Sequence, residues 1–390
     1  MKKAIILILD GVGVGGAPDA AQYNDEGSNT LGNLAKRVGG LSLPNLEKLG
    51  LGNIIEIDGV PKSNEPQAAF GKCIERSEGK DSTTGHWEIA GLISRKPFPT
   101  YPNGFPQEIM DEFLDDIDVD LALGNKVASG TVIIDELGEE HMETGFPIVY
   151  TSADSVFQIA AHVDIIPLEM LYEWCEAARR ILTGNHAVSR VIARPFEGKP
   201  GNFTRTVDRK DYSLVPHGPT ILDITKKAGL PVTGIGKIED LFAHRGLTES
   251  YHTHINSEGI VKTIEILSKQ ESGLVFINLV DTDQLYGHRN NCEGFYGSLR
   301  EFDLALPDIL AALSSEDILI ITADHGNDPT TPSTDHSREM VPILVYGKSI
   351  LPKDLGIRKS FADIGQSIAD FLDIPKTPDG TSFLSEILKG

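Results

Sequence analysis

Three aspartate clusters stand at the ends of apolar runs: Asp10 after Ala4–Leu9, Asp281 and Asp283 after Leu274–Val280, and Asp324 after Ile318–Ala323. Histidines follow closely, His288 after Asp283, His325 beside Asp324 and His336 beside Asp335. Continuous apolar runs are the signature of parallel strands buried on both faces, and open α/β sheets carry their ligands at the carboxyl ends of such strands. The pattern therefore gathers carboxylates and imidazoles from distant segments onto one sheet edge. So much like charge is tolerable only if cations neutralise it. Nitrogen and carboxylate-oxygen donors without thiolate suit Mn²⁺ or Zn²⁺, and two such ions clamp the attacking and leaving oxygens of an in-line phosphoryl transfer. Each Asp/His pair alone reads equally well as a turn acid or a satisfied surface histidine; it is the joint occurrence that points to a two-metal site.

A nucleophile belongs between the ions. Ser82–Thr83–Thr84–Gly85 precedes an apolar helical stretch, so these hydroxyls fit an N-cap. A hydroxyl there also meets the positive end of the helix dipole, and beside a divalent ion it ionises more readily than in water. Ser82 and Thr83 can cap while Thr84 attacks. Gly11, Gly13 and Gly16 spell the dinucleotide fingerprint, but the required helix and second-strand acid do not follow. A tight turn that lets backbone approach a ligand is the expectation for this loop.

The elements that position these groups divide the chain. Prolines 97, 99, 102 and 106, and Val215–Pro–His–Gly–Pro219, punctuate it. The expectation is a core of residues 1–97 plus 218–390, in βα alternation, interrupted by an inserted α+β cap at 98–217. In the cap, helices are expected near Gln107–Leu114 and Pro167–Leu182, and strands at Thr131–Ile134, Pro147–Thr151 and Arg190–Ala193. From Arg190 to Lys210 six basic residues face two acidic ones, in a chain of 390 residues with net charge −22. The default for such a run is a solvated loop, but guanidinium groups match phosphate in two-pronged fashion. Arg190 and Arg205 are the favoured pair.

Bulk composition excludes several classes. The net negative charge disfavours nucleic acid and anionic membrane, and no apolar run approaches the ~20 residues of a membrane span. Met1–Lys2–Lys3 before the apolar run imitates a signal peptide, but six apolar residues are too few for one. Cys73, Cys175 and Cys292 stand apart with no C-x-x-C pairing, which suits a reducing cytoplasm.

With these residues in hand, the chain resembles the phosphopentomutase family, a branch of the alkaline phosphatase superfamily related to the cofactor-independent phosphoglycerate mutases. The resemblance runs end to end, through Asp10–Gly–Val–Gly–Val–Gly–Gly–Ala–Pro–Asp19, Lys80–Asp–Ser–Thr–Thr–Gly–His–Trp–Glu88, Tyr150–Thr–Ser–Ala–Asp–Ser–Val156, Asp281–Thr–Asp–Gln–Leu–Tyr–Gly–His–Arg289, Thr322–Ala–Asp–His–Gly–Asn–Asp328 and Asp335–His336. It implies an alkaline-phosphatase-like α/β core, with a largely parallel sheet flanked by helices, plus the inserted cap. It further implies one metal on Asp283, His288 and His336, another on Asp10, Asp324 and His325, and Thr84 as the phosphorylated residue. Serine at position 82, where the family often has threonine, keeps the hydroxyl. Threonine as the nucleophile, followed by Gly–His–Trp–Glu, separates this branch from the phosphoglycerate mutases, whose residue is typically serine.

The activity so implied interconverts (deoxy)ribose 1-phosphate and 5-phosphate through a phosphothreonine and a 1,5-bisphosphate, with Mn²⁺ and priming by a sugar bisphosphate such as glucose 1,6-bisphosphate. Ser152 and Asp154 are candidates for sugar hydroxyls, and Arg190, Arg205 and Lys237 for the distal phosphate. A cap that closes over the site would keep water from the phosphoenzyme. The rivals are a phosphatase or phosphodiesterase, a phosphoglycerate-type mutase, and a non-catalytic metal-binding module. Lys80 and Asp81 lie close to Thr84 without an assigned role.

Overall fold

The computed structural model describes residues 2–152 and 154–389. The first strands are β1 (Lys3–Leu9) and β2 (Ala69–Cys73). Next come β3 (Leu123–Val127), β4 (Ile148–Thr151), β5 (Val156–His162), β6 (Arg190–Lys199), β7 (Asn202–Arg205) and β8 (Lys210–Ser213). The last six are β9 (Val232–Ile235), β10 (Glu249–Tyr251), β11 (Gly273–Leu279), β12 (Ile318–Thr322), β13 (Val341–Tyr346) and β14 (Asp354–Arg358). The chain divides into two compact units, Met1–Lys96 with Pro216–Gly390, and Pro97–Val215.

The first unit is built on an eight-stranded sheet in the order β10-β9-β11-β1-β12-β13-β2-β14. Its centre is parallel: β1 runs between β11 and β12 in the same direction as both. Only β13 is antiparallel to its neighbours, β12 and β2. Every residue of β1, β11 and β12 is buried, which is why these strands read as unbroken apolar runs. Helices such as Asn256–Lys269, Cys292–Ala311 and Ala362–Leu372 pack around the sheet. Register decides what meets at its carboxyl edge. Ile8 pairs with Thr322 and Leu9 with Leu279, so the next steps along the strands bring Asp10 opposite Asp324 and beside the segment that leads to Asp283.

The second unit holds a mixed sheet in the order β3-β4-β5-β6-β7, with β8 also paired to β6. Helices Gln107–Ile117 and Leu168–Ile181 cover one face through a cluster that includes Phe113, Phe157, Trp174 and Val191. One expectation fails here. The segment expected as a strand at Thr131–Ile134 is the start of a helix, Gly130–Thr144. Its β-branched run favours a strand locally, but Ile133, Ile134, Gly138 and His141 are the buried positions and recur at helical spacing, so packing against β4 and β5 overrides propensity. Strand β5, all seven residues of it buried, was not anticipated.

Candidate active site

The helix Ser82–Ile89 carries Thr84. Asp81 caps it, accepting from the backbone N–H groups of Thr83 (2.9 Å) and Thr84 (3.1 Å). The Thr84 hydroxyl is buried among acceptors: the Asp81 carbonyl at 2.9 Å, Asp81 Oδ2 at 3.1 Å and Glu75 Oε1 at 3.5 Å. Gly85 explains why the helix can sit where it does. A Cβ there would run into the Asp324 carbonyl, so only glycine lets the nucleophile-bearing turn lie flat against the end of β12. One turn on, fully buried Glu88 accepts from the backbone of Arg76, Ser77 and Phe361 and from the Ser360 hydroxyl. It fixes the far end of the same helix.

The six expected metal ligands converge. Asp10, Asp324 and His325 present donor atoms within 4.8 Å of one another, and so do Asp283, His325 and His336. His288 joins the second group, its Nε2 3.2 Å from Asp283 Oδ2 and 3.2 Å from His336 Nε2. The nucleophile helix touches the first group, with Ser82 Oγ 3.1 Å from His325 Nε2 and His86 Nδ1 3.2 Å from Asp324 Oδ2. The tautomers suit ligation. His325 Nδ1 donates to the Gly326 carbonyl (3.0 Å) and His288 Nδ1 to that of Thr334 (2.7 Å), which leaves each neutral ring a lone pair on Nε2.

A family model described as the Metalloenzyme superfamily matches residues 2–376. Phosphopentomutase from Dictyoglomus turgidum (strain DSM 6724 / Z-1310) is 61% identical over 391 residues, spanning 100% of this chain and 99% of that protein. Phosphopentomutase from Acetivibrio thermocellus is 57% identical over 389 residues, with 100% of both chains covered. The chain belongs to the phosphopentomutase family.

Two solved structures share the fold of this chain. One is Leishmania mexicana phosphoglycerate mutase (TM-score 0.50, 11% identity, covering 98% of this chain and 97% of that one). The other is the PH0037 protein from Pyrococcus horikoshii (TM-score 0.51, 16% identity, covering 95% and 97%). The core is thus the alkaline-phosphatase-like α/β fold that a phosphopentomutase sequence implies.

The electrostatics of the site fit divalent metal. Asp10 is raised to about 6 by burial and by the charges of Asp324 and Asp283, with Lys237 and His325 working the other way. Burial disfavours charge on His325, yet Asp324, Asp283 and Asp10 hold its proton well above the usual imidazole range. Burial likewise opposes ionisation of Asp283, but His336 and His288 keep it well below the ordinary carboxylate range. Without cations, then, the cluster must retain protons. Asp10 Oδ1 and Asp324 Oδ2 are buried and have no well-directed hydrogen-bond donor among the described residues. A single Nε2 of His325 faces Ser82 Oγ, Asp10 Oδ1 and Asp324 Oδ2 at 3.1–3.4 Å, and one ring nitrogen cannot satisfy all three. Such unshared lone pairs converging on a common point are what a divalent ion requires.

Several supporting residues escaped sequence reasoning. Asn278 Nδ2 donates to Asp10 Oδ2 (3.1 Å), and Asn327 Nδ2 to Asp283 Oδ1 (2.6 Å), so both orient carboxylates from behind. Asn278 had a signal, as the lone amide in an apolar strand. Glu75 and Arg338 had none. Lys80 Nζ bridges Asp25 (3.1 Å) and Asp335 (3.3 Å). The glycine loop winds about Glu339, which accepts from Gly15 N, Thr30 N and the Thr30 hydroxyl. A Cβ at Gly13 would strike that carboxylate group.

Lys237 follows β9 in the first unit, close enough for its charge to act on Asp10. The remaining substrate candidates belong to the second unit. Arg190 Nη1 lies 3.4 Å from Asp211 Oδ2 and is partly exposed. Arg205 reaches the first residue of the helix Gly130–Thr144, where a Cβ at Gly130 would meet its guanidinium and the Tyr150 hydroxyl. Burial raises the Tyr150 phenol, against the pull of Arg194, Arg205 and Arg209. Ser152 Oγ accepts from Asp154 N at 3.3 Å, and Asp154 is exposed.

Proposed function

We propose that this chain interconverts ribose 1-phosphate and ribose 5-phosphate, and the 2-deoxy pair, with Thr84 as the residue that carries the phosphoryl group. The observation that carries the reading is the Thr84 hydroxyl, held at a helix N-terminus that packs through Gly85 onto Asp324 and through Ser82 onto His325. Residues 1–97 and 218–390 form the catalytic core in this proposal, and 98–217 the cap.

The cycle starts with phosphate on Thr84. A sugar hydroxyl oxygen of the monophosphate attacks that phosphorus, the bond to Thr84 Oγ1 breaks, and Oγ1 keeps the electron pair and gains, in the net step, the proton that the sugar hydroxyl gives up, leaving a 1,5-bisphosphate. Thr84 Oγ1 then attacks the other phosphorus, the bond from that phosphorus to its sugar oxygen breaks, and the sugar oxygen keeps the electron pair and recovers the proton. Asp81 holds the helix N-terminus, whose N–H groups and dipole favour phosphoryl charge beside Thr84. Asn278 and Asn327 keep Asp10 and Asp283 aimed. Asp10, Asp324 and His325 would hold one divalent ion, and Asp283, His288 and His336 the other. Bound there, such ions, which we take to be manganese, stabilise charge on transferring phosphoryl oxygens and lower the pKa of a nearby hydroxyl.

Within the cap, Arg190 and Arg205 are the proposed partners of the distal phosphate, with Ser152 and Asp154 for sugar hydroxyls, and Lys237 contributes charge from the core. The resting enzyme needs a first phosphate, which a sugar bisphosphate such as glucose 1,6-bisphosphate supplies. The compartment proposed is the cytoplasm, in keeping with three unpaired cysteines. No helix among the described residues is long and apolar enough to cross a membrane.

The test is to incubate manganese-loaded protein with ribose 5-phosphate and a trace of sugar bisphosphate and to follow phosphorus resonances. A growing 1-phosphate signal without free phosphate is expected. Accumulation of inorganic phosphate would make the protein a phosphatase instead.

A further inference from the structure

Arg338 lies two residues past His336 and is 2% exposed. Its guanidinium is shared between two separate segments, residues 75–79 and Asp19. Nη1 donates to the Ser77 carbonyl (2.8 Å) and also to that of Gly79, and Nη2 to the Glu75 carbonyl (3.0 Å). Nε and Nη2 reach both oxygens of Asp19 (3.2 and 3.0 Å). Nη1 also lies 2.7 Å from Glu75 Oε2, an ion-pair approach in which that oxygen accepts no well-directed hydrogen bond. The other oxygen of that carboxylate, Oε1, stands 3.5 Å from Thr84 Oγ1. Gly79, whose carbonyl the guanidinium holds, has its Cβ direction filled by Thr84 Oγ1 and Cγ2 at 3.0 Å. Thus one buried cation touches two of the groups beside the nucleophile, Glu75 and Gly79, while standing on the loop that carries His336.

We propose that Arg338 and Glu75 are a positioning pair that locks the Thr84 hydroxyl in register with the His336 loop; this rests on the reading of Thr84 as phosphoryl carrier. The fork geometry is what matters. Only a planar guanidinium spans three carbonyls of residues 75–79 and two carboxylates at once; a lysine ammonium keeps the charge but not the span. Glu75 stands between the two groups, one carboxylate oxygen beside the guanidinium and the other 3.5 Å from the Thr84 hydroxyl, closing the side of Thr84 that Asp81 leaves open. A second link runs in parallel: Asp25 Oδ2 accepts from Arg338 N (2.8 Å) and pairs with Lys80, which also meets Asp335. The segment 75–81 and the segment 335–338 are therefore laced together at two points, through the guanidinium and through Asp25 and Lys80.

The test uses the full, metal-loaded chain with Arg338→Lys and Glu75→Gln. In both, amide exchange over residues 77–85 should quicken while β1, β11 and β12 stay protected, with metal content unchanged. Mutase kcat should fall roughly ten- to a hundredfold, as expected for a small misplacement of a reacting group, with KM within about twofold of wild type. If Arg338→Lys does not fold, the isosteric Glu75→Gln decides. Wild-type exchange in 77–85 together with kcat within about threefold for both variants would overturn the pair as positioning residues. A defect in Arg338→Lys alone would assign the task to the guanidinium and overturn the role of Glu75. Should the wild type itself lack mutase turnover, the functional reading fails, and the exchange data still decide whether the pair orders the Thr84 segment.

Discussion

Replacing Glu88 by Gln removes one charge from the buried far end of the nucleophile helix and changes almost no volume. In the native carboxylate, Oε1 accepts from the Ser360 hydroxyl (2.7 Å), Phe361 N (3.0 Å) and Arg76 N (2.9 Å), and Oε2 from Ser77 N (2.6 Å) and Arg76 N (2.9 Å). An amide nitrogen in either place faces a backbone N–H that cannot reverse its polarity, Phe361 on one side or Ser77 on the other. One charge-assisted hydrogen bond, worth about 1.5–3 kcal/mol, is lost, and a buried donor left unsatisfied costs about 1–3 kcal/mol more. The expected loss is therefore about 2.5–6 kcal/mol, a large part of the ~5–15 kcal/mol by which a domain is stable. Ser360→Ala removes one donor and leaves the carboxylate, and should cost about 1.5 kcal/mol. Because the two units need not unfold together, the signal must come from the first alone. Trp87 is buried in that unit and Trp174 in the second, so denaturant titration of Trp87 fluorescence in a Trp174→Phe background isolates it. A Glu88→Gln midpoint corresponding to less than about 1 kcal/mol would refute the donor-clash argument.

The other expectations are briefer. Thr84→Ala removes the acceptor oxygen and should leave a folded, inactive protein with no phosphopeptide after priming; a phosphorylated peptide lacking residue 84 in the wild type would sink the assignment. His336→Ala should retain about one divalent ion fewer per chain after dialysis on the two-metal arrangement, and unchanged stoichiometry and activity would count against it. Gly85→Ala should push the nucleophile turn off Asp324, lowering turnover more than stability, as paired kinetics and melting would show. In metal-free protein, Asp10 (about 6) and His325 bind protons more tightly folded than unfolded. The stability from Asp10 is thus full at acid pH and lost as pH rises towards about 6, and that from His325 is lost above its ordinary range. Bound metal needs the same groups deprotonated, so the melting-temperature gap between metal-loaded and metal-free protein should widen from pH 5 to 8, and a constant gap would contradict this.

How far a sequence discloses such a site depends on whether a residue's role comes from its own strand or from a partner far away. Asp10, Asp283 and Asp324 were legible because each follows closely on a strand whose two-sided burial writes an unbroken apolar run, and parallel register then brings the strand ends level. Thr84 was legible through its helix start. The helix Gly130–Thr144 was misread because Val132, Ile133 and Ile134 carry a strand preference that only packing overturns. Strand β2 (Ala69–Cys73) was not foreseen either: it shows no alternation, and its pairing with β13 and β14 joins segments hundreds of residues apart. Glu75, Glu88 and Arg338 were invisible for the same reason. A charged residue looks solvated until the fold places a complementary group against it, and here Glu88 meets backbone donors and the Ser360 hydroxyl, Arg338 meets carbonyls of residues 75–79, and Glu75 meets the Arg338 guanidinium. The sequence thus displays the groups that touch the chemistry, while the groups that hold them still are written only in the tertiary register. Perturbing the second kind should change how often Thr84 is correctly placed without changing what it does, which is why the Glu88 and Arg338 variants, more than the ligand variants, test whether this architecture has been understood.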